Sequence, residues 1–274
     1  MIRSDFLKRL EWGLAILLSA TALFLLAVRA THAGALWRDE CAVVNLARMP
    51  SVADIARNFQ HEAFPVPFQL FVRAYSDSFG SSDFALRAFG IVAGVAVLCA
   101  LWISAKLIGN DPPLLSLALL GLNTTFLFWG TTVRGYGFGS TFIVLAVGLI
   151  ISLILKPSQP RAFAAVFVSV AAVQCLVHNL ALVLAITGSA IVVCVTRRNL
   201  RRSVIFLGIL ALCMISFVPY LNAYSSESGW SRVVEFPVTF RLLWNQFNFA
   251  LGNPNPPMAL LWHIPLAEIG RAHV

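Results

Sequence analysis

Residues 138–155 read FGSTFIVLAVGLIISLIL, a stretch without a single charge. A hydrocarbon core about 30 Å thick is crossed by about 20 mostly apolar residues in helical form, so the stretch reads as a membrane span. TTVRGYG (131–137) precedes it and KPSQPR (156–161) follows it, and the same alternation of long apolar and short polar segments runs along the chain. Further candidate spans are 13–30, 86–108, 113–131, 162–178, 180–196 and 203–220, which makes seven. Between 162 and 196 the only polar break is His178-Asn179. One helix of that length would far exceed a bilayer, so the pair marks a tight hairpin. No strand pattern is convincing. The expected fold class is all-α: a polytopic transmembrane helical bundle of about seven spans.

Composition agrees. Of 274 residues, 59% are hydrophobic and 12% charged, and the mean hydropathy is +0.81. Disorder, a coiled coil and an ordinary soluble enzyme are excluded. The net charge of +8 does not point to nucleic acid, because its densest cluster, RRNLRR at 197–202, lies between two apolar stretches. Basic short loops beside spans set membrane orientation. With Arg3, Lys8 and Arg9 in the cytoplasm, Lys106 and the loops 156–161 and 197–202 fall inside as well. The outer segments are then 31–85, 132–137, the 178–179 turn and everything after 221. The five cysteines form no CxxC and read as small buried hydrophobes.

Both ends carry a second reading. The basic start and first apolar run, with Thr31-His32-Ala33 after it, fit a signal peptide or an uncleaved anchor; the run's length and the later spans favour the anchor. Ile269-Gly270-Arg271-Ala272-His273-Val274 is what ATC GGA AGA GCA CAC GTC encodes, a string resembling a common sequencing adapter. The expectation is that residues 269–274 are an adapter-derived tail, that 221–268 is an outer loop leading on to further chain, and that 1–220 is the membrane core.

Outer segment 31–85 has structure of its own. Ser51 and Asp54 fit a capping box before an amphipathic run of Val52, Ile55, Ala56 and Phe59. Phe68, Phe71, Val72, Tyr75 and Phe79 mark a second such helix, suited to the membrane interface. Trp37-Arg38-Asp39-Glu40 follows the first span. Adjacent carboxylates at a membrane surface are solvated or used, and one could serve as general base on an acceptor hydroxyl. In HEAFPVP (61–67), His61 and Glu62 are possible metal ligands or simply exposed turn residues. Arg134 is the lone charge of the third outer loop; its guanidinium suits a phosphate with the Tyr136 hydroxyl as a second donor, or it snorkels to headgroups. Gly135, Gly137 and Gly139 would let backbone approach a ligand. His178-Asn179 reads as a cap, an interhelical contact or a ligand pair. Asn123-Thr124-Thr125 is a glycosylation sequon inside a span and is set aside. Tyr224, Trp230, Arg232, Glu235 and Trp244 form an aromatic belt or a sugar-binding surface. Asp39, Glu40, Glu62, Arg134 and His178 converge on one face of the membrane.

Three of these segments carry a resemblance. Trp37-Arg38-Asp39-Glu40 looks like the acidic motif of the GT-C glycosyltransferases, HEAFPVPFQLFVRAYSDSFGSSDFALR (61–87) is similar to the stretch that follows it in that family, and Arg134-Gly135-Tyr136 resembles its Arg-x-Tyr in the third outer loop. The likeness covers about residues 10–220, and the nearest subgroup is the bacterial enzymes related to the dolichyl-phosphate-mannose and aminoarabinose transferases. It implies a multi-pass enzyme of the bacterial inner membrane that inverts the anomeric centre. The donor would be a polyprenyl-phosphate sugar, and the cell-envelope acceptor a lipid, glycan or protein on the periplasmic side. It implies Asp39 as base beside Glu40, Arg134 and Tyr136 on the donor phosphate, and a divalent metal ion held by Glu62 and His178. The chain departs from the family at Pro65-Val66-Pro67, in place of a double proline, and at Phe64, where His is common; these departures bear on the metal. The rival expectation is a non-catalytic polytopic protein, a transporter or scaffold subunit.

Overall fold

A computed structural model describes residues 2–58, 64–109, 111–221 and 239–250, and every regular element among them is helical. Helix α1 (Ile2–Thr31) is followed by three shorter helices, α2 (Arg38–Ala47), α3 (Val52–Arg57) and α4 (Val66–Phe79). The long helix α5 (Asp83–Ile108) precedes a broken segment made of α6 (Leu114–Ser116), a wide π-turn (Leu117–Gly121) and α7 (Thr124–Trp129). Four helices of near-equal length follow: α8 (Tyr136–Leu155), α9 (Gln159–Cys175), α10 (Asn179–Thr196) and α11 (Leu200–Phe217). Helix α12 (Phe240–Ala250) is the last described element.

Five helices are long and apolar enough to cross a membrane: Asp5–Thr31, Asp83–Ile108, Tyr136–Leu155, Asn179–Thr196 and Leu200–Tyr220. Two of the seven expected spans differ. Segment 113–131 is not one helix: Pro112 and Pro113 delay its start, the π-turn ends at Gly121, and the Asn123 side chain accepts the amides of Thr125 and Phe126 to begin α7 afresh. That capping role gives Asn123 the use its sequon did not. The 162–178 span is α9, whose 17 residues make a helix about 26 Å long. It begins earlier than expected because Ser158 caps it and Pro160 suits its first turn. Leu176 to His178 form the expected tight turn into α10.

Local signals set the short helices. Ser51 Oγ accepts the Asp54 amide at 3.1 Å while Asp54 Oδ2 accepts the Ser51 amide at 3.2 Å, the reciprocal cap that S-x-x-D predicts. Gly80, at φ 87°, ends α4 in a conformation that favours glycine, and Ser82 then caps α5. Arg73 of α4 donates to the Ala47 and Met49 carbonyls, tying α4 to the end of α2.

The bundle packs in three clusters. Helices α8 to α11 enclose Ile150, Leu153, Val173, Phe206 and Ile209. Helix α1 lies on α5 and the broken segment through Ala15, Ala22, Leu26 and Val97, and Trp102 Nε1 donates to Ser19 Oγ at 3.0 Å. Phe64, Phe68, Val72 and Phe89 join the short helices to α5 and α8. Large side chains also face outward, Phe24, Phe163, Phe167, Val204 and Ile215 among them. In water a contiguous apolar exterior of this kind would drive association; in lipid it is the expected outer surface. Helices gain little hydrophobic drive from meeting each other in lipid, so small residues bring backbones close. Gly148 of α8 sits where an added Cβ would lie 2.6 Å from Ser104 Oγ of α5, and that hydroxyl donates to the Val144 carbonyl at 2.9 Å. Three cysteines are buried, while Cys41 and Cys99 are exposed; all five are free thiols.

Candidate functional site

Charge inside the folded chain concentrates where α2, the start of α5 and the loop 130–135 meet. Helix α2 places Asp39 and Glu40 in its first turn, where the positive end of the helix dipole favours carboxylates. Neighbours in a helix point in different directions, and these two separate completely. Glu40 turns inward and is 1% exposed. Its Oε1 accepts Arg87 Nη1 at 2.9 Å and the Val133 amide at 2.9 Å, and its Oε2 accepts the Trp37 amide at 3.2 Å. Arg87 completes the lock by donating to the Gly34 and Ala35 carbonyls at 3.3 and 2.7 Å. One buried carboxylate thus fixes the exit from α1, the start of α2, the first turn of α5 and the third loop. Such a group accepts three internal hydrogen bonds, and removing either charged partner would leave a buried charge uncompensated.

Asp39 turns outward and keeps 29% of its side chain exposed. Its Oδ2 accepts Arg134 Nη1 at 3.0 Å, and Oδ1 accepts Arg38 Nε at 3.2 Å. Arg134 follows directly on Val133, whose amide Glu40 holds, so Glu40 sets the distance between Asp39 and Arg134. Three rings wall the guanidinium: Phe64 at 4.9 Å, Tyr136 at 5.2 Å and Trp37 at 5.8 Å from its carbon. These distances favour cation–π attraction. Arg134 Nε is buried and has no hydrogen-bond partner among the described residues. A buried guanidinium N–H without an acceptor is a costly arrangement.

Trp129 continues the cage, its ring edge-on to Trp37 and to Tyr136. Beyond it lies a cavity of about 470 Å³, lined by Leu120, Phe126, Trp129, Tyr136 and Phe249 among others. The break between the π-turn and α7 lies along this open space, and α12 lines one side of it where Thr125 Oγ1 donates to the Phe249 carbonyl at 3.0 Å. Tyr136 thus stands against the Arg134 guanidinium and also lines this largely apolar cavity.

Asp39, Glu40, Arg134 and Tyr136 come together. Tyr136 contributes its ring face, and its hydroxyl has no protein partner among the described residues. His178 does not join them in any printed contact; it is exposed at the start of α10, while Asn179 is buried and donates to the Gly139 and Ala172 carbonyls at 3.1 and 2.9 Å. His61 and Glu62 lie outside the described residues, as do Tyr224, Trp230, Arg232 and Glu235. No group of three or more His, Cys, Asp or Glu side chains able to hold a metal ion occurs among the described residues. The donor atoms described here do not assemble a metal site: both Asp39 oxygens are taken by arginines and all Glu40 bonds are internal.

The glycines of the third loop have a different use from the one expected. An added Cβ at Gly135 would collide with the Cys175 carbonyl, and one at Gly137 with the Gly130 carbonyl. They bring protein backbones together rather than opening a face to a ligand. Arg87, Trp129 and the Val133 amide are site residues that sequence reasoning did not single out, and Phe64 stood out there only as a departure from the family pattern. A charge near the start of an apolar span was the available signal for Arg87. Trp244 packs in α12 against Phe240 and Phe247. No family model, curated protein or solved structure matches the chain.

Proposed function

We propose that the chain forms the core of an integral membrane glycosyltransferase that moves a sugar from a polyprenyl-phosphate donor to an acceptor on the outer face of a bacterial inner membrane. One observation carries the reading: Asp39 and Arg134 face each other at 3.0 Å against aromatic rings, one of which, Tyr136, also lines a largely apolar cavity. A carboxylate, an arginine with an unused N–H and a greasy cavity match the three parts of such a reaction, namely acceptor hydroxyl, donor phosphate and polyprenyl tail. Counting α9 and the broken 114–129 segment as crossings gives seven, with the basic loops inside and this site outside.

In the proposed reaction the donor phosphate takes the unused edge of Arg134 and loosens its hold on Asp39. The freed carboxylate accepts the proton of the acceptor hydroxyl as that oxygen bonds to the anomeric carbon. The bond from the anomeric carbon to the phosphate oxygen breaks, and Arg134 stabilises the charge gathering on the leaving lipid phosphate. A single displacement inverts the anomeric centre. Glu40 takes no proton; it holds Val133, and so Arg134, in register with Asp39. Glu62, which lies outside the described residues, and His178 are the residues that would hold a divalent metal ion, which would add charge stabilisation to the leaving phosphate.

Donor recognition is tested by titrating a polyprenyl phosphate into the purified chain and following tryptophan fluorescence, since Trp37 and Trp129 flank the guanidinium. Arg134→Gln should weaken binding by about 10²-fold, in line with the loss of one charge-assisted contact. Equal binding by wild type and variant would remove Arg134 from the donor site.

The rival reading, a transporter, draws on the broken 114–129 segment, because discontinuous helices line many transport sites. Against it, a single broken segment is found among the described residues, with no second one to pair with it.

A further inference from the structure

The opposite end of the bundle holds a second pocket, of about 420 Å³, between the start of α9 and the start of α11. Arg201 and Arg202 line one side, Ser158 and Asn199 another, and Leu153 and Ile205 the floor. Arg202 is pre-set, since its Nη1 donates to the Ile154 carbonyl at the end of α8 at 2.9 Å. Arg201 is exposed and has no protein partner among the described residues. Lys156, Arg161, Arg197 and Arg198 stand in the same two loops, and no Asp or Glu occurs anywhere from residue 112 to 226. Among the described residues no acidic side chain pairs with these charges, whereas Lys8 pairs with Asp111 at 3.7 Å. The walls are mixed. Polar groups and arginines sit at the loop level, while Leu155, Phe163, Leu200 and Val204 on the same elements are exposed apolar side chains that suit acyl chains.

We propose that this pocket binds the headgroup phosphate of an anionic phospholipid, with Arg201 and Arg202 as its principal contacts. Basic pockets between membrane helices at the bilayer surface bind anionic headgroups through charge and hydrogen bonding together. Arginine suits the task because its planar fork donates to two phosphate oxygens at once. The pocket differs from a diffuse basic loop in having walls: Arg197 and Arg198 carry the same charge in the same loop but do not line it. The inference rests neither on sugar transfer nor on which leaflet this end faces.

Native mass spectrometry of the full chain, with phosphatidylglycerol or phosphatidylcholine of identical acyl chains, tests it. The wild type should retain phosphatidylglycerol preferentially. Arg201→Gln should reduce that preference about fivefold, and Arg201→Gln with Arg202→Gln about thirtyfold, at roughly the effect expected per basic residue near an anionic surface. Arg197→Gln with Arg198→Gln should leave it unchanged. Because Arg202 also anchors α8, the single Arg201 variant decides the matter if the double variant fails to fold. Equal retention of the two lipids, or an equal loss with the Arg197 and Arg198 pair, would overturn the pocket assignment. Displacement of phosphatidylglycerol by millimolar inorganic phosphate would overturn the lipid as ligand and assign the pocket to free phosphate.

Discussion

The two ends of the bundle treat charge in opposite ways. At the end formed by α2 and the loop 130–135, Glu40 is buried against Arg87, and Asp39 faces Arg134 within an aromatic cage. At the other, Arg197 and Arg198 stand in a turn and Arg201 and Arg202 at the start of α11, without acidic partners among the described residues. Exposed basic loops cost little and serve orientation and surface attraction, whereas buried pairs are costly to form and costly to break. A fold keeps the second kind where geometry has to be held. The difference teaches that net charge says little about where chemistry sits; the degree to which charges are fixed against each other says more.

Breaking the fixed end should have the larger consequences. Glu40→Ala leaves Arg87 and the Val133 amide without their acceptor and should destabilise the chain by about 3–5 kcal/mol, read as a lower midpoint in thermal unfolding of the detergent-solubilised protein. A change below about 1 kcal/mol would mean the lock is not tight. Gly135→Ala sharpens the contrast from the packing side. Its methyl group would press on the Cys175 carbonyl and should cost about 1–3 kcal/mol, while Gly208→Ala, with open space around it, should be neutral or slightly stabilising.

Much of this was legible in the sequence, for identifiable reasons. Long apolar stretches need no partner to be recognised, and the cap of Ser51 on Asp54 is complete within four residues. The break in 113–131 left signals too, in Pro112-Pro113, Gly121 and Asn123, but its mean apolarity masked them. The division of labour between Asp39 and Glu40 was not legible. It is set by partners 47 and 93 residues from Glu40, at Arg87 and Val133, and adjacency in sequence makes the two carboxylates look equivalent. The loop glycines were misread because flexibility and close packing leave the same residue behind. Arg134 was legible as a lone charge, while its cage was not, since Trp37, Phe64 and Tyr136 come from three separate segments.

We propose Asp39, held opposite Arg134 by the buried Glu40, as the base of a sugar transfer from a polyprenyl phosphate. The direct measurement is release of polyprenyl phosphate from a polyprenyl-phosphate sugar by membranes containing the wild type or Asp39→Asn, at matched levels of inserted protein. The account predicts release by the wild type and a fall of about 10³-fold or more in the variant, the loss expected when a positioned general base is removed. Transfer by Asp39→Asn within about tenfold of wild type would contradict it, because that lies below the smallest contribution expected of such a base.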